Sequence, residues 1–178
     1  MSDTLTGLTG IDKDGLTDLQ TKAIEDPSTG RKTLKAVTSC EGGFRNLTQI
    51  RSLEPVLVSE PCSLLGDDAA PNPSEMALAA LGSCISVGLL ANATDRGVTL
   101  TKIEVAMEGD IDISAVWGVG DTPDTKVPGF TEVRCHITLA GDADSDTLDS
   151  IRTNAMLWSP VVNTFSRNVT MDSTLTVE

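Results

Sequence analysis

The sequence has few aromatic residues and few cationic ones. Only 3% of its 178 residues are aromatic, and none is tyrosine. An aliphatic core is therefore expected, and aromatic platforms for single-stranded nucleic acid are not. Thirteen lysines and arginines stand against 26 aspartates and glutamates, for a formal net charge of −13. Because such an acidic surface repels phosphate backbones and anionic headgroups, we expect neither nucleic acid nor a membrane as partner.

Histidine and clustered cysteine are also scarce. The chain has one histidine, and its four cysteines at positions 40, 62, 84 and 135 form no C-x-x-C pair. Since a zinc site needs clustered cysteine and histidine ligands, no metal site is expected. The N-terminal stretch has neither the basic start nor the apolar segment of a secretory signal. The expected location is the cytoplasm, where the thiols stay reduced.

What the sequence does contain is one long stretch without charge, from Met76 to Ala93. Asn72 is a good N-cap, Pro73 suits a first helical turn, and Gly97 fits the left-handed position that ends a helix. The pattern predicts a helix over 74–96 that is buried on nearly all sides. Its length would suit a transmembrane segment, but glycine, serine and asparagine interrupt it, and a buried helix is the better interpretation.

The rest of the chain alternates between helices and short strands. Apolar residues at helical spacing predict further helices over 14–26 and 142–158. Alternating apolar residues flanked by turn residues predict strands: two within 33–51 joined by a turn at 41–43, and others at 55–61, 98–114, 130–140 and 168–178. Residues 116–129 are predicted to form a loop. This order of elements is that of an α+β domain.

Three motifs stand out around the charge-free helix. They are the P-x-P-x-E-x8-C spacing that ends at Cys84, the stretch AALGSC that contains the same thiol, and SPVVNT at 159–164. With these motifs the chain resembles the OsmC/Ohr family of hydroperoxide-resistance proteins, from about residue 33 to 171.

The resemblance implies a fold and an assembly. The expected fold is α+β, with a β-sheet wrapped around two central helices. The whole chain, 1–178, would be a single domain in which 1–32 form a helical extension and 33–171 the core. The expected assembly is an intertwined homodimer with active sites at its interface.

The resemblance also implies a chemistry. In this family the cysteine of the central helix attacks the O–O bond of an organic hydroperoxide, which yields an alcohol and a sulfenic acid. The matching residue is Cys84, which an external thiol would reduce without any cofactor. A thiolate in an apolar setting needs a cation or a hydrogen-bond donor. The family supplies an arginine from an early strand, for which Arg51 is the first match and Arg45 the second, held by a glutamate, here Glu75.

The position of Glu75 favours a dimer. It lies nine residues before Cys84, which is about 13 to 14 Å along a straight helix and half a turn around it. The two side chains therefore cannot meet within one helix. Glu75 must act through a partner group or from a second subunit, and the small residues at 79, 80, 82 and 83 would let two helices approach closely.

One position departs from the family pattern. Peroxidase members carry a second, resolving cysteine in a turn that here begins with Ser159. A serine cannot form a disulfide, so a sulfenic acid on Cys84 is expected to persist or to over-oxidise. Three alternatives stay open. Cys62 could be a relocated resolving thiol, the chain could be a dimer that binds an apolar small molecule without peroxidase turnover, or Cys84 could be an inert core residue of a structural dimer.

Overall fold

A computed structural model describes residues 7–119 and 126–177 of the chain. Its main elements follow in this order: α1 (Lys13–Glu25), β1 (Val37–Gly42), β2 (Arg45–Gln49), β3 (Val56–Val58), α2 (Pro73–Arg96), β4 (Leu100–Ile111), β5 (Phe130–Gly141), α3 (Ser145–Trp158) and α4 (Pro160–Ser166). Short 3-10 helices lie at Pro27–Gly30, Cys62–Leu64 and Ile113–Trp117. The predicted α+β class is confirmed.

The described residues form two compact units. Of the described residues, the first unit takes those within Met1–Ile11, Leu81–Ala106 and His136–Glu178, and the second takes those within Asp12–Ala80 and Met107–Cys135. The chain passes from one unit to the other within α2, β4 and β5.

The core of the first unit is a stripe along α2. Its buried apolar residues recur every four positions: Leu81, Ile85, Leu89 and Ala93. This spacing places them on one face of the helix. On α3, Ile151 and Ala155 are buried as well. A Cβ added to Gly88 would lie 3.3 Å from the Cβ of Ala155, so the absence of a side chain at Gly88 lets α2 and α3 come close together.

The prediction that α2 is buried on nearly all sides is wrong for the single chain. Only the stripe facing the core is buried, and Val87 on another face is 70% exposed. By length and composition α2 is also the one helix of the described residues that could cross a membrane, and 28% of its most apolar 18-residue stretch is buried. This is weak evidence for a membrane span, because the core helix of a soluble protein has the same properties.

The second unit contains a three-stranded antiparallel sheet in the order β1–β2–β3. The predicted hairpin is confirmed, but its turn lies at Gly43 and Phe44 rather than at 41–43, because β1 extends to Gly42. The φ angles of these two turn residues, 55° and 64°, are left-handed. Cross-strand pairing and the alternation of side chains assign residues to faces. One face carries these residues: Thr38, Cys40, Asn46, Thr48, Val56 and Val58.

β4 and β5 pair with each other in a two-stranded sheet. Along β4, Ile103, Val105 and Met107 are half-buried while the residues between them are exposed, which confirms the predicted alternation. The predicted loop at 116–129 begins inside the 3-10 helix Ile113–Trp117, and its residues 120–125 lie outside the described residues.

The predicted last strand is wrong for residues 168–177, the part of it that the structure describes. These residues have no regular structure, and Met171 and Leu175 are 87% and 86% exposed. The sequence does alternate there, but a strand also needs a neighbour to pair with its backbone groups. No described strand pairs with this segment. The helix α4, which precedes it, was not predicted.

We predict that Leu89→Ala lowers the free energy of unfolding by about 2 to 5 kcal/mol, because it leaves a cavity in the buried stripe of α2. Ile24→Ala, on the exposed helix α1, is the control and should change it by less than about 0.5 kcal/mol, because Ile24 is 81% exposed. Urea unfolding at neutral pH measures both. An equal loss in the two variants would contradict the assignment of Leu89 to the core.

Candidate active site

The thiol of Cys84 lies against the turn that joins α3 to α4. The hydroxyl of Ser159 donates a hydrogen bond to the Cys84 Sγ at 3.1 Å. Ser159 is only 4% exposed, and Cys84 is half-buried. The structure therefore brings together, within the first unit, the helix thiol and Ser159, the first residue of the SPVVNT motif.

Backbone contacts fix the direction of the Ser159 hydroxyl. Ser159 is the N-cap of α4, and its oxygen accepts a hydrogen bond from the Val162 N–H at 3.2 Å. Asn163 holds the same turn, because its side chain donates to the backbone carbonyls of Leu157 and Ser159 at 3.0 and 2.8 Å. With its oxygen engaged by the cap, the hydroxyl directs its proton at the sulfur. A donor fixed in this way stabilises negative charge on its acceptor.

Contacts between α2 and α3 explain why Ser159 reaches Cys84. They recur every four residues along α2 while the partner moves backward along α3: Cys84 with Ser159, Gly88 with Ala155, Asn92 with Asn154, and Arg96 with Ser150. The two helices are therefore antiparallel neighbours, and the bond between Cys84 and Ser159 is the contact at one end of the series.

Glu75 caps the start of α2. Its backbone N–H donates to the Asn72 side-chain oxygen at 2.8 Å, and its own carboxylate accepts from the Asn72 backbone N–H at 2.8 Å. This reciprocal pair is a capping box, which satisfies two of the unpaired N–H groups at the helix start. Sequence reasoning identified Asn72 as the cap but missed that Glu75 completes it. The catalytic role of Glu75 stays a prediction.

Arg45 lies on β2 in the second unit and is bound by a carboxylate. Its Nη1 lies 2.7 Å from the Asp67 Oδ2. The other oxygen of Asp67 accepts hydrogen bonds from the Ser59 hydroxyl and, at 3.2 Å, from the Ala69 N–H. The hydrogen bonds from Ser59 and Arg45 lower the pKa of Asp67 to about 2. Ser59 is fully buried, so this cluster anchors the loop 59–69 to the sheet.

Arg51 lies in the turn between β2 and β3 and is exposed. Its φ angle of 53° is left-handed, which is uncommon outside glycine. The Gln49 side chain stabilises this turn by donating to the carbonyls of Arg51 and Leu53 at 2.9 and 2.7 Å. No carboxylate among the described residues forms an ion pair with Arg51. Of the two candidate cations, Arg45 is therefore engaged by Asp67 and Arg51 has no such partner in the described chain.

Cys62 lies exposed in the second unit, at the start of a 3-10 helix, and Cys135 is half-buried on β5. None of the four cysteines, all of which lie in the described residues, forms a disulfide. Within residues 7–119 and 126–177, no group of three or more histidine, cysteine, aspartate or glutamate side chains could hold a metal ion.

The fold and the helix thiol define a class of protein, and the sequence comparison identifies it. Residues 66–174 match the family described as OsmC-like protein. The chain belongs to this family, as the resemblance predicted. No curated protein matches the sequence.

Solved structures of the same family share the fold. An OsmC-like protein of Mycoplasma pneumoniae matches with a TM-score of 0.63 and 12% identity over 76% of this chain and 88% of its own. The organic hydroperoxide resistance protein OsmC of Legionella pneumophila matches with 0.56 and 16% over 75% and 90%. An OsmC-like protein of unknown function from Vibrio cholerae matches with 0.57 and 14% over 75% and 93%. At these identities the likeness concerns the fold alone.

We predict that Glu75→Ala lowers the free energy of unfolding by about 0.5 to 2 kcal/mol, since it removes one half of the capping box. Glu75→Gln should lose much less, because a glutamine can accept the same hydrogen bond from Asn72. Urea unfolding measures both. If the two variants retain stability equally, the capping bond contributes nothing measurable.

We predict that the Asp67 cluster makes stability depend on acid pH. Because the folded chain lowers the pKa of Asp67 from 3.8 to about 2, its carboxylate stabilises the fold above pH 4, and this contribution is lost as the pH falls through about 2. Asp67→Asn should be less stable at pH 6 and lose less than the natural chain between pH 4 and pH 2. Urea unfolding across this range measures the difference, with Asp18→Asn on α1 as control. Parallel pH profiles for all three proteins would contradict the assignment.

Proposed function

We propose that this protein is a thiol-dependent peroxidase that reduces organic hydroperoxides at Cys84 and so serves in stress defence. The observation that carries the proposal is the Ser159 hydroxyl, which donates to the Cys84 sulfur from a position fixed by the start of α4. Membership of the OsmC-like family supports it. The Legionella pneumophila relative is named as an organic hydroperoxide resistance protein, which supports the same substrate class.

The reaction needs only the thiol and an external reductant. The Cys84 thiolate attacks one peroxide oxygen, an S–O bond forms as the O–O bond breaks, and the departing alkoxide takes up a proton to become an alcohol. Sulfur loses two electrons and the peroxide gains them. An external thiol then condenses with the sulfenic acid and releases water, and a second external thiol releases Cys84 from the mixed disulfide. No cofactor enters this cycle, and the cytoplasm supplies such thiols.

The remaining parts of the site are proposals from the family pattern. Arg51 is our choice for the cation that stabilises the thiolate, ahead of Arg45, because Asp67 already binds Arg45. Glu75 cannot reach Cys84 along one helix, which supports a homodimer. The 70% exposure of Val87 on the apolar helix α2 supports the same assembly.

A second function is favoured by the same turn. Because Ser159 carries a hydroxyl, it cannot form a disulfide with a sulfenic acid on Cys84. Cys62 is the alternative candidate for the resolving thiol. If neither an external thiol nor Cys62 regenerates Cys84, the protein is a dimer that binds an apolar small molecule without peroxidase turnover. Consumption of peroxide with an added thiol separates the two functions.

We predict that one equivalent of cumene hydroperoxide converts Cys84 to a sulfenic acid that dimedone traps, without a new intramolecular disulfide. Ser159→Ala should slow this oxidation about 10- to 150-fold, because a hydrogen bond to a charged group contributes about 1.5 to 3 kcal/mol. Ser166→Ala, which removes another hydroxyl from α4, is the matched control and should leave the rate unchanged. Intact-mass spectrometry with peptide mapping measures the modified site and its rate of formation.

Two outcomes of this experiment would change the interpretation. If Cys84 stays unmodified in the folded protein, the peroxidase proposal fails. If mapping finds a disulfide between Cys84 and Cys62, then Cys62 is a relocated resolving residue. The variant Cys84→Ala sets the background that the other thiols contribute.

A further inference from the structure

A single residue, Ser159, separates α3 from α4. It is both the C-cap of α3, which ends at Trp158, and the N-cap of α4, which begins at Pro160. Its φ and ψ angles of −66° and 119° are extended, whereas the residues on either side are helical. The direction in which α4 leaves α3 therefore depends on the backbone of one residue, which acts as a hinge.

Pro160 leaves this hinge short of hydrogen-bond donors. The carbonyls in the last turn of a helix have no partner within the helix and need donors from outside it. Because proline has no backbone N–H, the residue that follows the hinge cannot supply one. The carbonyl of Leu157, in the last turn of α3, is one of the groups that need an outside donor.

The side-chain amide of Asn163 supplies the missing donors. Its Nδ2 donates to the carbonyl of Leu157 at 3.0 Å and to that of Ser159 at 2.8 Å. An asparagine amide carries two N–H donors, so both of them are used here. One bond ends on α3 and the other on the hinge residue, while Asn163 itself belongs to α4. The amide thus links the two helices across the hinge.

The thiol and the hydroxyl are attached to different helices. Cys84 lies on α2, which packs against α3 one turn further along, where a Cβ added to Gly88 would lie 3.3 Å from the Cβ of Ala155. The Ser159 oxygen accepts a hydrogen bond from the Val162 N–H and therefore turns with α4. A rotation of α4 about the hinge would carry the hydroxyl away from the sulfur, which lies 3.1 Å from it.

We propose that Asn163 is a positioning residue for Cys84, because its bonds from α4 to the end of α3 hold the Ser159 hydroxyl at the sulfur. Asn163 acts on the thiol only through Ser159. The inference rests on the proposed function in that it takes Cys84 as the reactive thiol. It concerns the reactivity of the thiolate with any electrophile, however, so that alkylation tests it without a peroxide.

The residue after Asn163 provides a matched control. Thr164 donates to the carbonyl of Pro160 at 2.9 Å, four residues back. Like the amide of Asn163, its hydroxyl bonds a backbone carbonyl near the start of α4. This bond stays within α4 and does not cross the hinge, so its loss should leave the Ser159 hydroxyl in place.

The test is the rate at which iodoacetamide alkylates Cys84 in the full-length protein at neutral pH, measured by peptide mapping. Asn163→Leu has a similar shape but no donor. It should slow the reaction at least about fivefold, out of the roughly 10- to 150-fold that a hydrogen bond to a charged group can contribute. Asn163→Gln keeps the amide and should lose less. The control Thr164→Val should stay within about twofold of the natural chain.

A double-variant cycle separates positioning from a general loss of structure. In the Ser159→Ala background, Asn163→Leu should slow alkylation by less than about twofold further, because the hydroxyl through which it acts is gone. Urea unfolding verifies that each variant is folded. If Asn163→Leu does not fold, Asn163→Ala, which adds no apolar bulk, takes its place in the cycle.

Several results would overturn the positioning role. They are equal slowing by Asn163→Leu with and without Ser159, an equal loss in Thr164→Val, and an equal loss in Asn163→Gln. The peroxidase proposal can fail separately. If alkylation follows these expectations while cumene hydroperoxide leaves Cys84 unmodified, the peroxidase proposal fails and the positioning role stands. If both reagents modify Cys84 as fast in Asn163→Leu as in the natural chain, the positioning role fails and the peroxidase proposal stands.

Discussion

The antiparallel contact between α2 and α3 is the constraint on which the candidate active site depends. It repeats every four residues, from Arg96 with Ser150 at one end to Cys84 with Ser159 at the other. Small and apolar side chains set the distance between the helices in the middle of this series. A shift of the two helices by one turn would therefore break the polar contacts at both ends together, and the thiol would lose its hydroxyl neighbour.

The two candidate arginines show how an acidic chain uses its few cations. Arg45 closes a loop by binding Asp67, and a fully buried serine supports the same carboxylate. Arg51 lies six residues further along, on a turn whose conformation is set by a neighbouring side chain rather than by an ion pair. Similar sequence surroundings thus produce one arginine with a structural role and one that has no carboxylate partner in the described chain.

The sequence was sufficient for features that depend on local chemistry. The cap at Asn72, the left-handed Gly97 and the period-2 pattern of β4 each follow from residues a few positions apart, and the structure has all three. The family and the fold followed from spaced motifs around Cys84. The action of Arg51 and Glu75 on Cys84 stays a prediction.

Other features could not be predicted because their partners are distant in sequence. Ser159 is 75 residues from Cys84, and Asp67 is 22 residues from Arg45. No local pattern encodes such pairs. The strand predicted at 168–178 failed for the opposite reason: its alternation is present, but alternation alone does not provide the neighbouring strand that a ladder requires.

The helix cap at Ser159 couples two parts of the molecule. The same side chain begins α4 and contacts the thiol of Cys84. A sulfur in its place would be a poorer acceptor for the Val162 N–H. Any substitution at this position therefore changes the start of a helix and the surroundings of the thiol together, so that neither can be altered alone.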